Sequence, residues 1–478
     1  MSINPQKPLT TNASLSNLNH ISNPNLFWTI GISCIILFTC SSLRHILFQS
    51  TAFDLGIFDQ GVYLISQGLE PISTYMGYHI LGDHAAFIWY PIALLYKIYP
   101  SVYWLFLIQA FALAIGALPT WKLSRQAGLT EKQASGMAFA YLLYPVIFNA
   151  NLFDFHPEVI ALPAFLVAVW CAREKRFWWF CGSVIVILSC KAVLSLTVAA
   201  MGFWLLLFEK RRWCGVVAII LGISWFAIAS GLIIPTFSGR QAAAVGRYSF
   251  LGNSVFEIIK NLLLKPGLIL GKIITWDNLY YLVLLFAPIF WGISLEGITP
   301  LVAAIPCIAL NLITGYDAQK DLVHQYSLPA LPFLLLAAIA TLAAGKGLVR
   351  KQRGIIIWSL VGFLCLAKFT YFGDRYVKKL DNWQATKEAI ALVQTKGSVL
   401  TTASISTHLS HRQLINLAYG EQPLEETSKF NYILLDTRYP GWGNNPESAS
   451  KMVDFLKNRH EFNIRYRRDD IYLFEKKI

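Results

Sequence analysis

Three short runs in an otherwise apolar chain carry most of the side chains that could do chemistry. The first is Phe53-Asp54-Leu55-Gly56-Ile57-Phe58-Asp59-Gln60, followed by Leu81-Gly82-Asp83-His84. Carboxylates are costly to desolvate near a membrane, so three in one loop point to proton transfer or metal binding. Asp54 and Asp59 are five residues apart and on one helix would diverge by about 140°. A shared role needs a break near Gly56 or a substrate between them. The competing reading is that Asp54 and Asp83 cap short interfacial helices.

The second run, Asn149-Ala150-Asn151-Leu152-Phe153-Asp154-Phe155-His156-Pro157-Glu158, places Asp154, His156 and Glu158 within five residues. Carboxylate with imidazole suits a phosphate group or a divalent cation, Mg²⁺ or Mn²⁺, and Asp54, Asp154, His156 and Glu158 form the candidate metal set. An ordinary helix start, with Pro157 in the first turn and Asp154 or His156 capping it, explains the same residues. The third run is Gly315-Tyr316-Asp317-Ala318-Gln319-Lys320-Asp321-Leu322-Val323-His324-Gln325-Tyr326-Ser327. Lys320 and Asp321 could bind substrate or belong to a solvated loop. His324 and Gln325 abut an apolar run, where a polar pair more often faces a cavity than lipid. Lys191, between two apolar runs, either snorkels or holds an anionic ligand. Arg240 and Arg247 could clamp a phosphate or bind lipid headgroups.

The elements that must position these residues follow from composition. Of 478 residues, 55% are hydrophobic and 14% charged, with a mean hydropathy of +0.49; soluble domains carry about a quarter charged residues. That excludes a soluble enzyme, a disordered chain and a coiled coil, and leaves a polytopic α-helical membrane protein. Apolar runs predict about eleven spans, near 26–43, 101–121, 134–150, 158–172, 177–190, 192–208, 214–235, 279–295, 299–313, 328–344 and 355–371. Residues 85–99, broken by Pro91 and Pro100, read as an interfacial or re-entrant helix with Trp89, Tyr90, Tyr96 and Tyr99 at headgroup level.

The formal charge of +13 lies largely in short clusters between apolar runs: Lys122 and Arg125, Arg173 to Arg176, Lys210 to Arg212, and Arg350 to Arg353. Such clusters mark cytoplasmic loops, whereas nucleic-acid binding would need a continuous basic stripe. This places the amino terminus in the cytoplasm, with residues 1–25 a flexible tail and 26–372 the membrane domain. Loops 49–84, 150–157, 236–278 and 314–327 then fall outside. Residues 373–478 read as a small extracytoplasmic α/β domain. Its expected elements are a helix over 379–394, a strand over 398–405, a helix over 411–418, a strand over 432–436, a helix over 447–458 and a terminal strand pair turning near Asp469 and Asp470. The eight cysteines lie in or beside apolar runs without paired spacing and read as free, buried thiols. No glycine-rich phosphate loop and no internal repeat is present.

FDLGIFDQ, LGDH, ANLFDFHPE and YDAQKDLVHQYSLPALPF, in this order, resemble the bacterial membrane-protein family catalogued as domain of unknown function 2079. The resemblance covers residues 45–440 and extends to the GT-C superfamily of multispanning glycosyltransferases, which take a sugar from a polyprenyl-phosphate carrier on the outer face. It implies a GT-C-like membrane domain in the bacterial inner membrane. It also implies an acid in the first outside loop acting as base or metal ligand, Asp54 by position with Asp59 as the alternative. The family pattern has Lys-Glu-Asp where this chain has Lys191-Ala192-Val193, so two acidic groups are missing and altered specificity or inactivity is in play.

The expected function is an inverting transfer of sugar from a polyprenyl-phosphate carrier to an unknown acceptor. Asp54 or Asp59 would serve the acceptor hydroxyl, and Lys191, His324, Arg240 or a divalent ion the departing phosphate. The remaining candidates, Asp83, His84, Asp154, His156, Glu158, Lys320 and Gln325, would bind substrate or phosphate. A transporter or lipid flippase using the same Asp and His residues, and a non-catalytic scaffold, are the alternatives.

Overall fold

The computed structural model describes residues 24–418 and 424–477. The expected tail lies, up to residue 23, outside the described residues. Every apolar run folds as helix, because a lipid-facing chain must satisfy its backbone within the segment. Among the described residues, five helices are long and apolar enough to cross a membrane: Pro24–Ile46, Tyr103–Gln126, Glu131–Phe153, Arg212–Ser238 and Gln325–Ala343. Two bent pairs raise the number to seven if each is one span: Pro266–Ile273 with Trp276–Gly292, bent by 63°, and Gln352–Leu366 with Phe369–Val377, bent by 43°. Phe177–Cys190, Leu194–Leu207 and Leu301–Ile313 are shorter apolar helices, and Glu158–Arg173 is a further one of 16 residues.

Small residues set the closest helix contact. A Cβ on Gly222 would lie 2.6 Å from the Ser195 carbonyl oxygen, and one on Gly215 would lie 2.8 Å from that of Gly202. Helices Leu194–Leu207 and Arg212–Ile228 therefore pack backbone to backbone, as small residues permit in lipid.

The loops sort into two ends. At one end the basic turns meet: Arg173 pairs with Glu209 at 2.8 Å, Gln126 donates to Glu174 and Gln133 donates to the Arg350 carbonyl. At the other end the four acid-bearing loops come together and the carboxyl-terminal sheet docks on the first of them.

That loop contains a two-stranded hairpin, β1 (Ile72–Ser73) and β2 (Tyr78–His79). The terminal sheet comprises β3 (Val399–Thr401), β4 (Ile415–Leu417), β5 (Tyr432–Asp436), β6 (Phe462–Arg468) and β7 (Ile471–Lys476), in the order β4-β3-β5-β7-β6. β3 runs parallel to β4 and β5, whereas β7 is antiparallel to β5 and β6. Alternation buries both faces. Val399, Leu434 and Leu473 pack beneath helix Trp383–Ala391 through Ala385 and Ala389. Leu400, Ile433, Leu435 and Phe474 pack against helix Pro446–Lys457 through Met452, Val453 and Leu456.

Four expectations need correction. Residues 415–417 form β4 rather than a helix, because Ile415 and Leu417 point into the core while their backbone pairs with β3. The strand expected to reach residue 405 ends at Thr401 and turns into helix Ala403–Ser406. Trp89 and Tyr96 are fully buried rather than at headgroup level, while Tyr90 and Tyr99 are exposed. The cysteines are free, yet Cys365 is exposed.

Candidate active site

Asp54 lies on a five-residue π-turn, Ala52–Gly56, that passes directly into helix Ile57–Ser66. Single π-turns are rare and concentrate at functional sites. The change of pitch at Gly56 supplies the break that separates the two acids, and they take different partners. Asp54 accepts from Thr51 Oγ1 at 2.8 Å and pairs with His156 Nε2 at 3.1 Å, with 26% of its side chain exposed. Asp59 is 1% exposed. It accepts from Tyr96 at 2.6 Å, from Ser410 and from His411 Nε2 at 3.1 Å. Asp54 thus faces an accessible space, whereas Asp59 is enclosed by donors, two of them from the carboxyl-terminal segment.

Asp154 braces the Asp54 loop. It ends helix Pro145–Phe153 with φ of 142°, a conformation that costs free energy and is held by its contacts. Its carboxylate accepts from the Thr51 backbone N–H at 2.8 Å, lies 2.9 Å from Thr51 Oγ1 and pairs with Arg44 at 3.2 Å. Thr51 Oγ1 therefore sits between the two carboxylates. Burial raises the Asp154 carboxyl; Arg44 opposes, and the total reaches about 6. For Asp54, burial also raises, but the hydrogen bond and charge of His156, with Thr51 and Arg44, outweigh it and leave the carboxyl below its usual range. Burial lowers His156, and Asp54 reverses that, so the imidazole titrates above its ordinary value. Both shifts favour the charged forms of the pair.

Lys191 occupies the extended break after helix Phe177–Cys190 and donates to Glu158 at 2.6 Å. Ala192 donates its N–H to the His84 carbonyl at 2.9 Å, and its methyl is buried with Ala85, Ala229 and Ile234. The lysine's carboxylate partner is thus Glu158, across the site. Asp83 and His84 form the short turn Leu81–His84 and lie 3.3 Å apart. Burial pushes Asp83 up to about 6, with Lys191 opposing and Asp54 and Glu158 adding; burial, then Lys191, holds His84 well below its usual value.

The capping readings do not hold. Ile80 is the N-cap of the Asp83 turn and Pro157 that of helix Glu158–Arg173, neither with a side-chain cap. Asp154 is turned toward Arg44 and Asp83 lies beside His84 instead.

In the third run, Asp321 accepts from His324 Nδ1 at 2.8 Å and from the backbone of Val323 and His324. This closed turn sets the His324 ring 4.1 Å from that of Phe153. Gln325 is buried, and its Oε1 has no hydrogen-bond partner among the described residues. Arg247 stacks between Tyr316, at 4.6 Å, and Tyr326, at 5.0 Å, and donates to Gln319. Arg240 lies 4.9 Å over Tyr78. Neither arginine, nor Lys320 at the end of the turn Asp317–Lys320, forms an ion pair among the described residues.

The metal set is not gathered as a cage. Asp154 is committed to Arg44, Glu158 to Lys191 and Asp54 to His156, and among the described residues no three His, Cys, Asp or Glu side chains are arranged to hold a metal ion. These residues do not fit a divalent cation as they stand. Arg44, Thr51, Ser410 and His411 are not among the site candidates read from the sequence, and Tyr96 is there only as an interfacial aromatic. Only Arg44, a charge in the last turn of the first span, carried a sequence signal.

The family described as Predicted membrane protein (DUF2079) matches residues 44–473. The chain belongs to this family. No curated protein matches this DUF2079 chain by sequence. Its fold is similar to the crystal structure of ArnT from Cupriavidus metallidurans bound to undecaprenyl phosphate. The TM-score is 0.55 at 10% identity, covering 95% of this chain and 98% of that one. The same protein in the apo state gives 0.53 at 10% identity, covering 94% and 97%. The DUF2079 chain therefore has an ArnT-like fold, over nearly the full length of both proteins.

Proposed function

We propose that this DUF2079 protein is an inverting glycosyltransferase of the inner membrane. It would move a sugar from a polyprenyl-phosphate carrier to an acceptor on the extracytoplasmic face. One observation carries the reading. Asp54 is a partly exposed carboxylate fixed by His156 and Thr51, which favour its ionised form, at the end of the bundle where Lys191, Arg240 and Arg247 gather. The basic turns at the opposite end fit a cytoplasmic face, and the similar ArnT structure holds undecaprenyl phosphate.

In the proposed step, the acceptor hydroxyl oxygen attacks the anomeric carbon as the bond from that carbon to the carrier phosphate breaks. The hydroxyl proton passes to Asp54, and the bond electrons leave with the phosphate. Attack opposite the leaving group inverts the anomeric centre. His156, held charged by Asp54, keeps the carboxylate ionised and oriented until the proton moves. Arg247, with no carboxylate partner among the described residues, would neutralise the departing phosphate; Lys191 would do so by sharing its charge with Glu158.

The test is incubation of the purified full-length protein with radiolabelled polyprenyl-phosphate sugars and a panel of envelope glycans and lipids. The expected result is labelled product or free sugar with inverted anomeric configuration. No turnover of any donor by folded protein, or retained configuration in the product, contradicts the reading.

A further inference from the structure

Trp442 is 71% exposed on a loop built to hold it there. Gly441 and Gly443 flank it with φ of 86° and 79°, a region glycine enters without steric cost. A Cβ on Gly441 would lie 3.1 Å from the Ser404 backbone nitrogen, so the loop is pressed onto helix Ala403–Ser406. Ser404 Oγ donates to the Tyr439 carbonyl at 3.1 Å, and Asn444 ties the other side to the Ala418 carbonyl. The loop follows β5 at the carboxyl end of the parallel strands, where open α/β sheets offer their loops to ligands.

This edge of the sheet docks on the first loop of the membrane domain. Ala52 is buried against Ala403 and Leu417, and Tyr75 donates to the Ser406 carbonyl at 3.1 Å. Docking brings the Trp442 ring edge-on to Phe53, 4.9 Å between centroids at 73°. Phe53 is itself 36% exposed and immediately precedes Asp54.

We infer that Phe53 and Trp442 form the acceptor subsite, taking a pyranose ring of a saccharide or glycolipid by its C–H face. The inference rests on the transferase reading, which requires the acceptor hydroxyl to reach Asp54 and so lays the rest of the acceptor over the neighbouring surface. That surface is two exposed aromatic rings from two parts of the chain, beside the exposed backbone of Gly441 and Gly443 and the half-exposed Asn444. An acyl chain would call for an apolar trough. A ring with one C–H face and a hydroxyl rim matches aromatic rings beside polar groups. The carboxyl-terminal domain would then select the acceptor.

The experiment uses the full-length protein and the variants Trp442→Ala, Trp442→Phe and Phe53→Ala. Donor hydrolysis without acceptor and transfer to a saccharide panel are measured separately. Trp442→Ala is expected to raise acceptor KM about tenfold, as the loss of one stacked ring implies, with donor hydrolysis unchanged and Trp442→Phe near wild type. In parallel, the fluorescence difference between wild type and Trp442→Phe is followed on adding soluble oligosaccharides, which needs no turnover. A saturable change assigned to Trp442 is expected. Unchanged acceptor KM, equal losses in hydrolysis and transfer, no saccharide-dependent signal, or quenching of Trp442 by brominated acyl chains would overturn the inference. If wild type turns over no donor, the transferase reading fails and the fluorescence titration alone decides whether Trp442 binds a saccharide.

Discussion

Thr51 has one hydroxyl hydrogen and two carboxylate oxygens within 2.9 Å, so it can donate to Asp54 or to Asp154 at any moment but not to both. The site thus holds its acids by sharing donors and by charges: Arg44 for Asp154, His156 for Asp54, Lys191 for Glu158. Asp83 lacks such a partner beyond His84 and shows the consequence. Its carboxyl, raised to about 6, is protonated more readily in the folded chain than in the unfolded one. Its favourable contribution is therefore complete below the ordinary carboxylate value and is lost as pH rises through 6. Asp83→Asn, neutral at every pH, is expected to gain stability over wild type as pH rises from 4 to 7. The gain is on the order of 1–3 kcal/mol and is read from thermal unfolding at each pH; a pH-independent difference would refute it. At the Asp54 pair, His156→Ala removes the charge that keeps the carboxylate ionised. The expected outcome is a fall in turnover and an acidic limb of the pH–rate profile moved to higher pH.

At the scale of elements, the site depends on tight contacts between segments. The turn that carries Asp83 and His84 packs on the end of helix Ile234–Ser238, where a Cβ on Gly82 would lie 2.8 Å from the backbone of Phe237 and Ser238. Backbone atoms cannot yield as a flexible side chain can. Gly82→Ala should therefore displace the turn and lower thermal stability by about 1–3 kcal/mol, with donor turnover falling in parallel. Gly222→Val, which drives a branched side chain into the Ser195 backbone, should destabilise the helix pair by at least as much. A thermal shift assay in detergent checks both; wild-type melting would contradict the close packing. Helix existence was legible because a twenty-residue apolar run admits few alternatives. Segment 411–418 was not: it holds a three-residue strand whose parallel partner, Val399–Thr401, is distant in sequence, and parallel pairing leaves no local turn signal.

At the scale of the molecule, one short segment anchors the carboxyl-terminal sheet on the first loop and the end of the first helix, beside the contact of Trp442 with Phe53. His408 stacks on His45 at 3.8 Å, His411 on Tyr63 at 4.8 Å, and Gln60 donates to the Arg412 carbonyl at 3.2 Å. Asp59 is the buried acceptor at the centre of this joint. Removing it by Asp59→Ala strands the Tyr96, Ser410 and His411 donors, at a cost of several kcal/mol. Amide exchange in residues 406–415 should then quicken; unchanged exchange would contradict the anchoring role. The sequence put Asp54, His156, Glu158 and Lys191 among the candidates because charges beside apolar runs are conspicuous. It could not separate Asp54 from Asp59, since the π-turn and the partners at 410 and 411 exist only once the chain is folded.

That separation is the central claim, and sugar transfer by Asp54→Asn and Asp59→Asn, both verified as folded by thermal melting, tests it most directly. Asparagine keeps the shape and an acceptor oxygen at each position but cannot take up the hydroxyl proton. Asp54→Asn is expected to lose about 10²- to 10⁴-fold in turnover, while Asp59→Asn, still able to accept hydrogen bonds from its neighbours, stays within about tenfold of wild type. An Asp54→Asn protein that transfers sugar at the wild-type rate, or a folded Asp59→Asn protein that does not transfer at all, would contradict the account.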